Sequence, residues 1–423
     1  MIENNTYELT AFELDYQGQG ICKLNDLLVF VPKLLKDEKA IVRIKKVKKN
    51  YCEGEIVSII EPSIDRFSTL TYPNATLYHL NPKEELKWQE RITKETIKKI
   101  SDLDVKVNQT LAGSKETNYR NKVTLHVRFF NDRLNLGVFE NKSHKLNQID
   151  EDILALPVIN EKIKQLNKLF STVTLTDRSL EHIVLRTNGI EVLTIFVTSK
   201  KQWKEKEFFL ENYESASIYQ NIKEDSAKNL GNRNIFLKGK RTLDVKFEHL
   251  KFKLYPQAFF QINFEASILM YDYIKSNVDK NDVVIDAYAG VSSIGQYVSD
   301  VASKVISIES NHDAVISAKE SIEVNHIKNL EILEQTVEDA LKTDELKADV
   351  IVFDPPKAGL NQTIIDALIK NPVNKIIYAS CDLKSLSRDL MYLKEVYEVE
   401  SVQPVKMFYR TVENETVVVL KLK

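Results

Sequence analysis

Cys381 ends an apolar run, "NKIIYASC", and is followed at once by "DLKSLSRDL", a stretch with helical spacing. A thiol between a strand and a helix can be a small apolar filler. It can also be a nucleophile, because a helix N-terminus favours the thiolate. Its place at a strand's carboxyl end favours the nucleophile and predicts a lowered thiol pKa. Other polar residues share that address. Glu309 ends "KVISIES", Asp354 ends "ADVIVFD", and Asp286 precedes the turn "AYAGVSSIG". In open α/β sheets, ligands bind beyond the carboxyl ends of the strands. Glu309 lies about 20 residues past Gly290, the spacing at which an acid accepts from two ribose hydroxyls. A helix N-terminal acid is the plainer alternative. Pro355 and Pro356 remove two backbone donors and stiffen the turn after Asp354, either for a ligand or merely as a rigid corner. Glu413 and Glu415 precede the last strand, where a carboxylate could act as a base on whatever the thiol holds. In "YPQAFFQINFEAS", Gln261 and Asn263 alternate with apolar neighbours, as in an ordinary strand or in a strap whose amides meet a cofactor.

These residues need a frame. From about residue 251 to 423 strands and helices alternate, which predicts an α/β domain with a doubly wound, largely parallel sheet. The last two strands should form an antiparallel hairpin at one edge. Residues 1–62 carry short strands between turn signals and read as a small β-barrel. Its run "RIKKVKKNY" sets five cations beside Tyr51, as a solvated strand face or as a surface for an RNA backbone. Residues 63–250 read as an α+β domain. It opens on an amphipathic helix with Leu86, Ile92, Ile97 and Ile100 on its apolar side and Pro82 in its first turn. Asn188-Gly189 signals a hairpin there, and "YRNKV" (Tyr119–Val123) is a basic, aromatic cluster.

The chain has 423 residues, 43% of them hydrophobic and 28% charged, and a net charge of −2. That composition fits a soluble globular protein. Any nucleic-acid binding must come from local basic patches rather than total charge. No apolar run reaches the length of a membrane span and the start lacks a signal peptide, so no membrane contact and a cytoplasmic location are expected. Three cysteines make neither a disulfide framework nor a metal cluster. A monomer is expected.

"AFFQIN", "DAYAGVSSIG", "DPPKAG", "YASCDLKSLSRDL" and "ENETVVVL", in this order, resemble the S-adenosylmethionine-dependent RNA 5-methyluridine methyltransferases. "NYRNKVTLHV" and "LGVFENKSHKL" resemble that family's central-domain motifs, and the first 60 or so residues resemble a TRAM domain, a small RNA-binding barrel. The resemblance implies a Rossmann-like class I methyltransferase domain and S-adenosyl-L-methionine as cofactor. It implies Cys381 as the nucleophile and Glu415 as the base. Gln261, Tyr288, Glu309 and Asp354 would contact the cofactor, and Asp354 would also face the uracil. The reaction is covalent catalysis on a base flipped from its stack.

This chain departs from the family pattern at several points. Ser292 stands where glycine is usual, and a side chain then borders the cofactor turn. Lys357 replaces an arginine, Asp382-Leu383 replaces Asn-Pro, and Glu413 replaces a histidine. Asp382 sets a negative charge beside the thiol, which opposes pKa lowering. Many relatives carry an iron–sulfur cluster on four cysteines after the barrel. "RFSTLTYPNATLYHLNP" has no cysteine, so no cluster is expected. The RNA-binding front domain points to 23S rRNA as the partner. The alternatives are a tRNA uracil-5 methyltransferase and a catalytically weakened RNA-binding or ribosome-assembly factor. A cytosine methyltransferase is disfavoured, because no second cysteine occurs in the sheet domain. An amino-directed enzyme would leave Cys381 without a role.

Overall fold

The structure is a computed structural model that describes residues 3–139, 145–172, 174–225, 229–342 and 347–423. Residues 140–144 of the "LGVFENKSHKL" motif therefore lie outside the described residues. Strands β1 (Thr6–Leu14), β2 (Gly20–Leu24), β3 (Leu27–Val31), β4 (Lys39–Val47) and β5 (Tyr51–Glu61) close into a barrel in the order β1-β2-β3-β5-β4. Alternate residues point inward, so Leu9, Ala11, Val29, Val31, Ala40, Val42 and Ile44 form its core. The basic strand is largely neutralised by its neighbour: Arg43 and Lys45 lie 2.9 and 3.5 Å from Glu55, and Lys46 lies 3.9 Å from Glu53. An RNA-binding run of five free cations is thus not what the fold presents.

Helix α1 (Pro82–Ser101) starts on an Asn81 cap that accepts from the Lys83 N–H, with Pro82 in the first turn where no donor is needed. Its covered stripe is Glu85, Trp88, Gln89, Ile92 and Ile97, whereas Leu86 and Ile100 are only partly covered. Glu85 and Gln89, with Thr93 and Ser101, are polar residues buried where the sequence pattern suggested only apolar ones. The helix packs on the C-terminal sheet domain, not on the central one. A 63–250 boundary therefore does not follow the packing.

The central sheet holds β6 (Lys122–Phe130), β7 (Arg133–Phe139), β8 (Leu146–Asn147), β9 (Leu180–Thr187), β10 (Val192–Thr198), β11 (Ser217–Ile222) and β12 (Arg233–Gly239). Their order is β12-β11-β10-β9-β6-β7-β8. Helices α2 (Pro157–Thr172) and α3 (Lys206–Asn212) cover one face with Ile159, Ile163, Leu166 and Phe209. The predicted Asn188-Gly189 turn joins β9 to β10, with Gly189 at φ +98°. The other face turns Val184, Leu193 and Ile195 toward a hairpin, β13 (Leu243–Phe247) and β14 (Leu250–Leu254), and through it toward the C-terminal sheet.

That last sheet follows α4 (Phe264–Lys275). It contains β15 (Val283–Ala287), β16 (Lys304–Glu309), β17 (Leu330–Glu334), β18 (Val350–Phe353), β19 (Lys375–Ser380), β20 (Tyr397–Val405) and β21 (Glu415–Leu422). Helices α5 (Ser293–Val298), α6 (His312–Val324), α7 (Val337–Ala340), α8 (Gln362–Lys370) and α9 (Leu383–Leu393) connect the strands. The order is β17-β16-β15-β18-β19-β21-β20. The first five strands are parallel, as their near-continuous apolar runs require of a sheet covered on both faces. The expected terminal hairpin forms, with β21 inserted antiparallel beside β19 and β20 outermost. Among the described residues no helix is long and apolar enough to cross a membrane.

Candidate active site

The carboxyl ends of β15, β16, β18 and β19 face one crevice. After β15 the chain makes a turn in which Tyr288, Gly290 and Ser292 all have φ between +56° and +60°. A left-handed backbone at two non-glycine residues is strained, and such strain concentrates at ligand sites. The Gly290 N–H donates to a Glu309 carboxylate oxygen at 2.8 Å, and the Asn311 N–H donates to the other at 2.6 Å. Two backbone donors fix the carboxylate and leave lone pairs for further donors. Gly295 is required for space: a Cβ there would lie 2.8 Å from an Asp286 oxygen and 2.5 Å from the Ser307 hydroxyl. Ser292 borders the turn from within. Its hydroxyl is buried beneath the turn, 2.7 Å from the Ser307 hydroxyl.

Asp286 is buried below this turn and accepts from the Gly295 N–H at 2.9 Å. Burial raises its pKa to about 7. Asp354, at the tip of β18, accepts from the Gln261 amide at 3.1 Å, and burial raises it to about 7 as well. The strap carrying Gln261 also brings Phe259 over the glycine turn, its carbonyl oxygen 3.8 Å from where a Gly290 Cβ would sit.

Cys381 is partly exposed directly beyond β19. Ser380 pairs with Thr416, so one further step of the antiparallel register places Cys381 across from Glu415, the first residue of β21. Glu415 is only 3% exposed, and its Oε1 has no hydrogen-bond partner among the described residues. Burial, then the Asp354 charge, raises its pKa well above the usual carboxylate range.

The lowered thiol pKa expected from the helix N-terminus is not found. The Cys381 pKa is raised to about 12, first by burial and then by Glu415, with Lys357 pulling the other way. Asp382 caps α9, accepting from the Ser385 N–H at 2.8 Å, so that donor of the helix end is already satisfied. Glu413, the other acid ahead of β21, points away to the mouth, 3.5 Å from Lys357 and 3.9 Å from Arg120. The structure therefore brings Cys381, Glu415, Asp354 and Gln261 together. It sets Tyr288 and Glu309 along the same crevice at the glycine turn.

Sequence reading missed two supports of Glu415. Gln89 of α1 donates to the Glu415 and Val405 carbonyls at 3.3 and 3.1 Å. Glu85 sits 2.7 Å from the buried Lys406 ammonium and accepts from the Arg410 N–H at 2.7 Å. The signal was their i, i+4 placement on the covered stripe beside Trp88 and Ile92.

A family model described as tRNA (Uracil-5-)-methyltransferase matches residues 83–423, and a TRAM domain model matches residues 3–57. The chain belongs to the RNA uracil-5 methyltransferase family. As a member of it, the protein is an S-adenosylmethionine-dependent enzyme with RNA as its partner. Two relatives, both called uncharacterized RNA methyltransferases, support this methyltransferase assignment. The one from Oceanobacillus iheyensis is 31% identical, covering 100% of this chain and 97% of the relative. The one from Clostridium tetani is 30% identical, covering 99% and 96%. A Pyrococcus abyssi tRNA (uracil-54, C5)-methyltransferase, solved with S-adenosyl-L-homocysteine, shares the fold of this methyltransferase. Its TM-score is 0.76 at 22% identity, covering 98% of this chain and 100% of that one.

Proposed function

We propose that this enzyme methylates carbon-5 of a uridine in 23S rRNA through a covalent bond between Cys381 and the uracil. The observation that carries the reading is the register that sets Cys381 opposite Glu415, with Asp354 beside both. Glu309 and the Gly290 turn would hold the ribose end of S-adenosylmethionine. Tyr288, Gln261 and Asp354 would flank the rest. When bound, the cofactor supplies an electrophilic sulfonium methyl.

The chain's own residues do the remaining work. Carbon-5 of uracil is a poor nucleophile until a thiolate adds at carbon-6 and turns the ring into an enolate. Cys381 supplies that sulfur, and Lys357 is the nearby cation that favours its anion. Once carbon-5 carries the methyl, Glu415 removes the carbon-5 proton. The electron pair re-forms the ring double bond, the carbon-6–sulfur bond breaks, and the thiolate returns. The raised pKa of Glu415 makes it a stronger base than an exposed glutamate.

The choice of 23S rRNA rests on the barrel ahead of the catalytic domain. The family description and the Pyrococcus abyssi enzyme both name tRNA, and this favours a second reading with a tRNA uridine as target. One experiment decides: labelled cofactor is incubated with unmodified 23S rRNA and tRNA, and 5-methyluridine is mapped in each. Label confined to tRNA overturns the substrate. RNA binding with no label in either overturns the activity.

A further inference from the structure

Lys122 on β6 and Arg186 on β9 are direct cross-strand partners. Like charges facing each other across a ladder repel. Here the repulsion is not screened by water: Arg186 is 3% exposed and Lys122 is partly buried. Nor is it offset by an acid. Among the described residues neither side chain makes an ion pair. Arg186 spends one nitrogen on the Ala258 carbonyl at 2.5 Å, and its Nη2 is buried with no partner. Burial and the neighbouring Arg186 lower the Lys122 pKa to about 8, and burial lowers Arg186 to about 10. A buried cation pair left uncompensated destabilises the fold, and a site of that kind persists for what it binds.

The pair sits beside the catalytic crevice. Asn121, adjacent to Lys122, donates to the Gln261 carbonyl at 2.9 Å, and the Gln261 amide in turn holds Asp354. Arg120, two residues before Lys122, pairs loosely at 3.9 Å with Glu413 at the mouth, and its Nε is also buried without a partner. Lys357 lies on the far side of Glu413. Four cations thus run from beneath the strap to the rim beside Cys381, with one exposed acid among them.

We propose that Lys122 and Arg186 bind a phosphate of the RNA strand next to the target uridine, with Arg120 continuing the track toward Cys381. A phosphodiester is the ligand that fits: it is anionic, it repeats along a strand, and it must pass close to a base delivered to the thiol. Two cations converging on one anion also fit the bidentate fork of arginine. The inference rests on RNA being the substrate but not on which uridine is modified.

Lys122→Met keeps the side chain's length and removes its charge. The test is binding of a labelled uridine-containing RNA hairpin at several salt concentrations, with S-adenosyl-L-homocysteine binding and thermal unfolding measured on the same samples. The variant is expected to bind RNA about tenfold more weakly, with a salt slope shallower by about 0.7–1. Cofactor-product affinity should be unchanged and Tm should rise, because a repelling buried charge is gone. Lys122→Arg should restore RNA affinity. Unchanged RNA affinity with a lower Tm would make Lys122 a structural residue and overturn the proposal. A loss of homocysteine-product affinity with RNA affinity intact would assign the anion to the cofactor carboxylate, and would overturn it too. Failure of the proposed reaction reads out separately, as missing 5-methyluridine from a protein that still binds RNA.

Discussion

Three titrating groups crowd one thiol, and their burial decides how it must be used. Cys381 is raised to about 12, so it holds its proton in the resting enzyme near neutrality, and the Glu415 carboxyl beside it is raised as well. The thiol must lose it to act. The thiolate fraction grows as pH rises toward the thiol's raised pKa, so single-turnover methyl transfer should climb with pH from about 6 to about 9 without an alkaline limb in that range. Lys357 is the cation that opposes the thiol's shift. Lys357→Met should lower the rate at neutral pH and push the profile further alkaline, while Lys357→Arg should preserve it. A profile that falls toward pH 9, or is flat, would contradict this assignment. Cys381→Ala should abolish transfer. Glu415→Gln should leave the sulfur bond formed and unreleased, seen as an RNA adduct that survives denaturing electrophoresis.

At the scale of elements, the loop of the terminal hairpin is held from a distance. Residues 406–414 connect β20 to β21; Glu85 of α1 grips Lys406 and Arg410 within them, and Gln89 holds the flanking Val405 and Glu415 carbonyls. Glu85→Gln would leave the Lys406 ammonium, which is fully buried, without its countercharge. Breaking such a pair costs about 3–5 kcal/mol. Chemical unfolding should show a loss of that order, and Gln89→Leu a smaller one with slower adduct release, since its amide holds the Glu415 carbonyl. The same loop shows where sequence reading ran out. Strand and helix order from 265 onward was legible because apolar runs and turn residues alternate locally. So was the turn at Gly290, though not the left-handed backbone of Tyr288 and Ser292 on either side of it. The α1 support was not legible, because its partners lie more than three hundred residues away and no local pattern ties Glu85 to Arg410. The thiol's raised pKa was illegible for a related reason: the sequence places carboxylates near Cys381 but does not show how far the fold buries the sulfur, and burial is the largest cause of the shift.

Over the whole molecule the charges nearly cancel, so affinity for a polyanion depends on where cations remain unpaired. In the barrel, much of β4 is spent on β5 carboxylates. A groove of about 780 Å³ lies between the barrel and the β20–β21 loop, lined by Gln17, Gln19, Lys33, Tyr72 and Val412 among others. It joins the barrel to the segment that carries Glu413 and Glu415. Its amides, its phenol ring and its single lysine suit a single strand better than a duplex, since an aromatic face can stack on an unpaired base. If RNA follows this groove, Lys33→Glu should weaken RNA binding several-fold and raise KM. The rate of transfer at saturating RNA should not change, because Lys33 is not among the groups facing Cys381. Tyr72→Ala should cost about 1–3 kcal/mol of binding, the usual worth of one stacked base. Its effect should persist at high salt, whereas that of Lys33→Glu should fade as counterions screen the strand. Equal salt sensitivity of the two variants would mean that the ring does not stack, and that the strand reaches Cys381 by another face of the barrel.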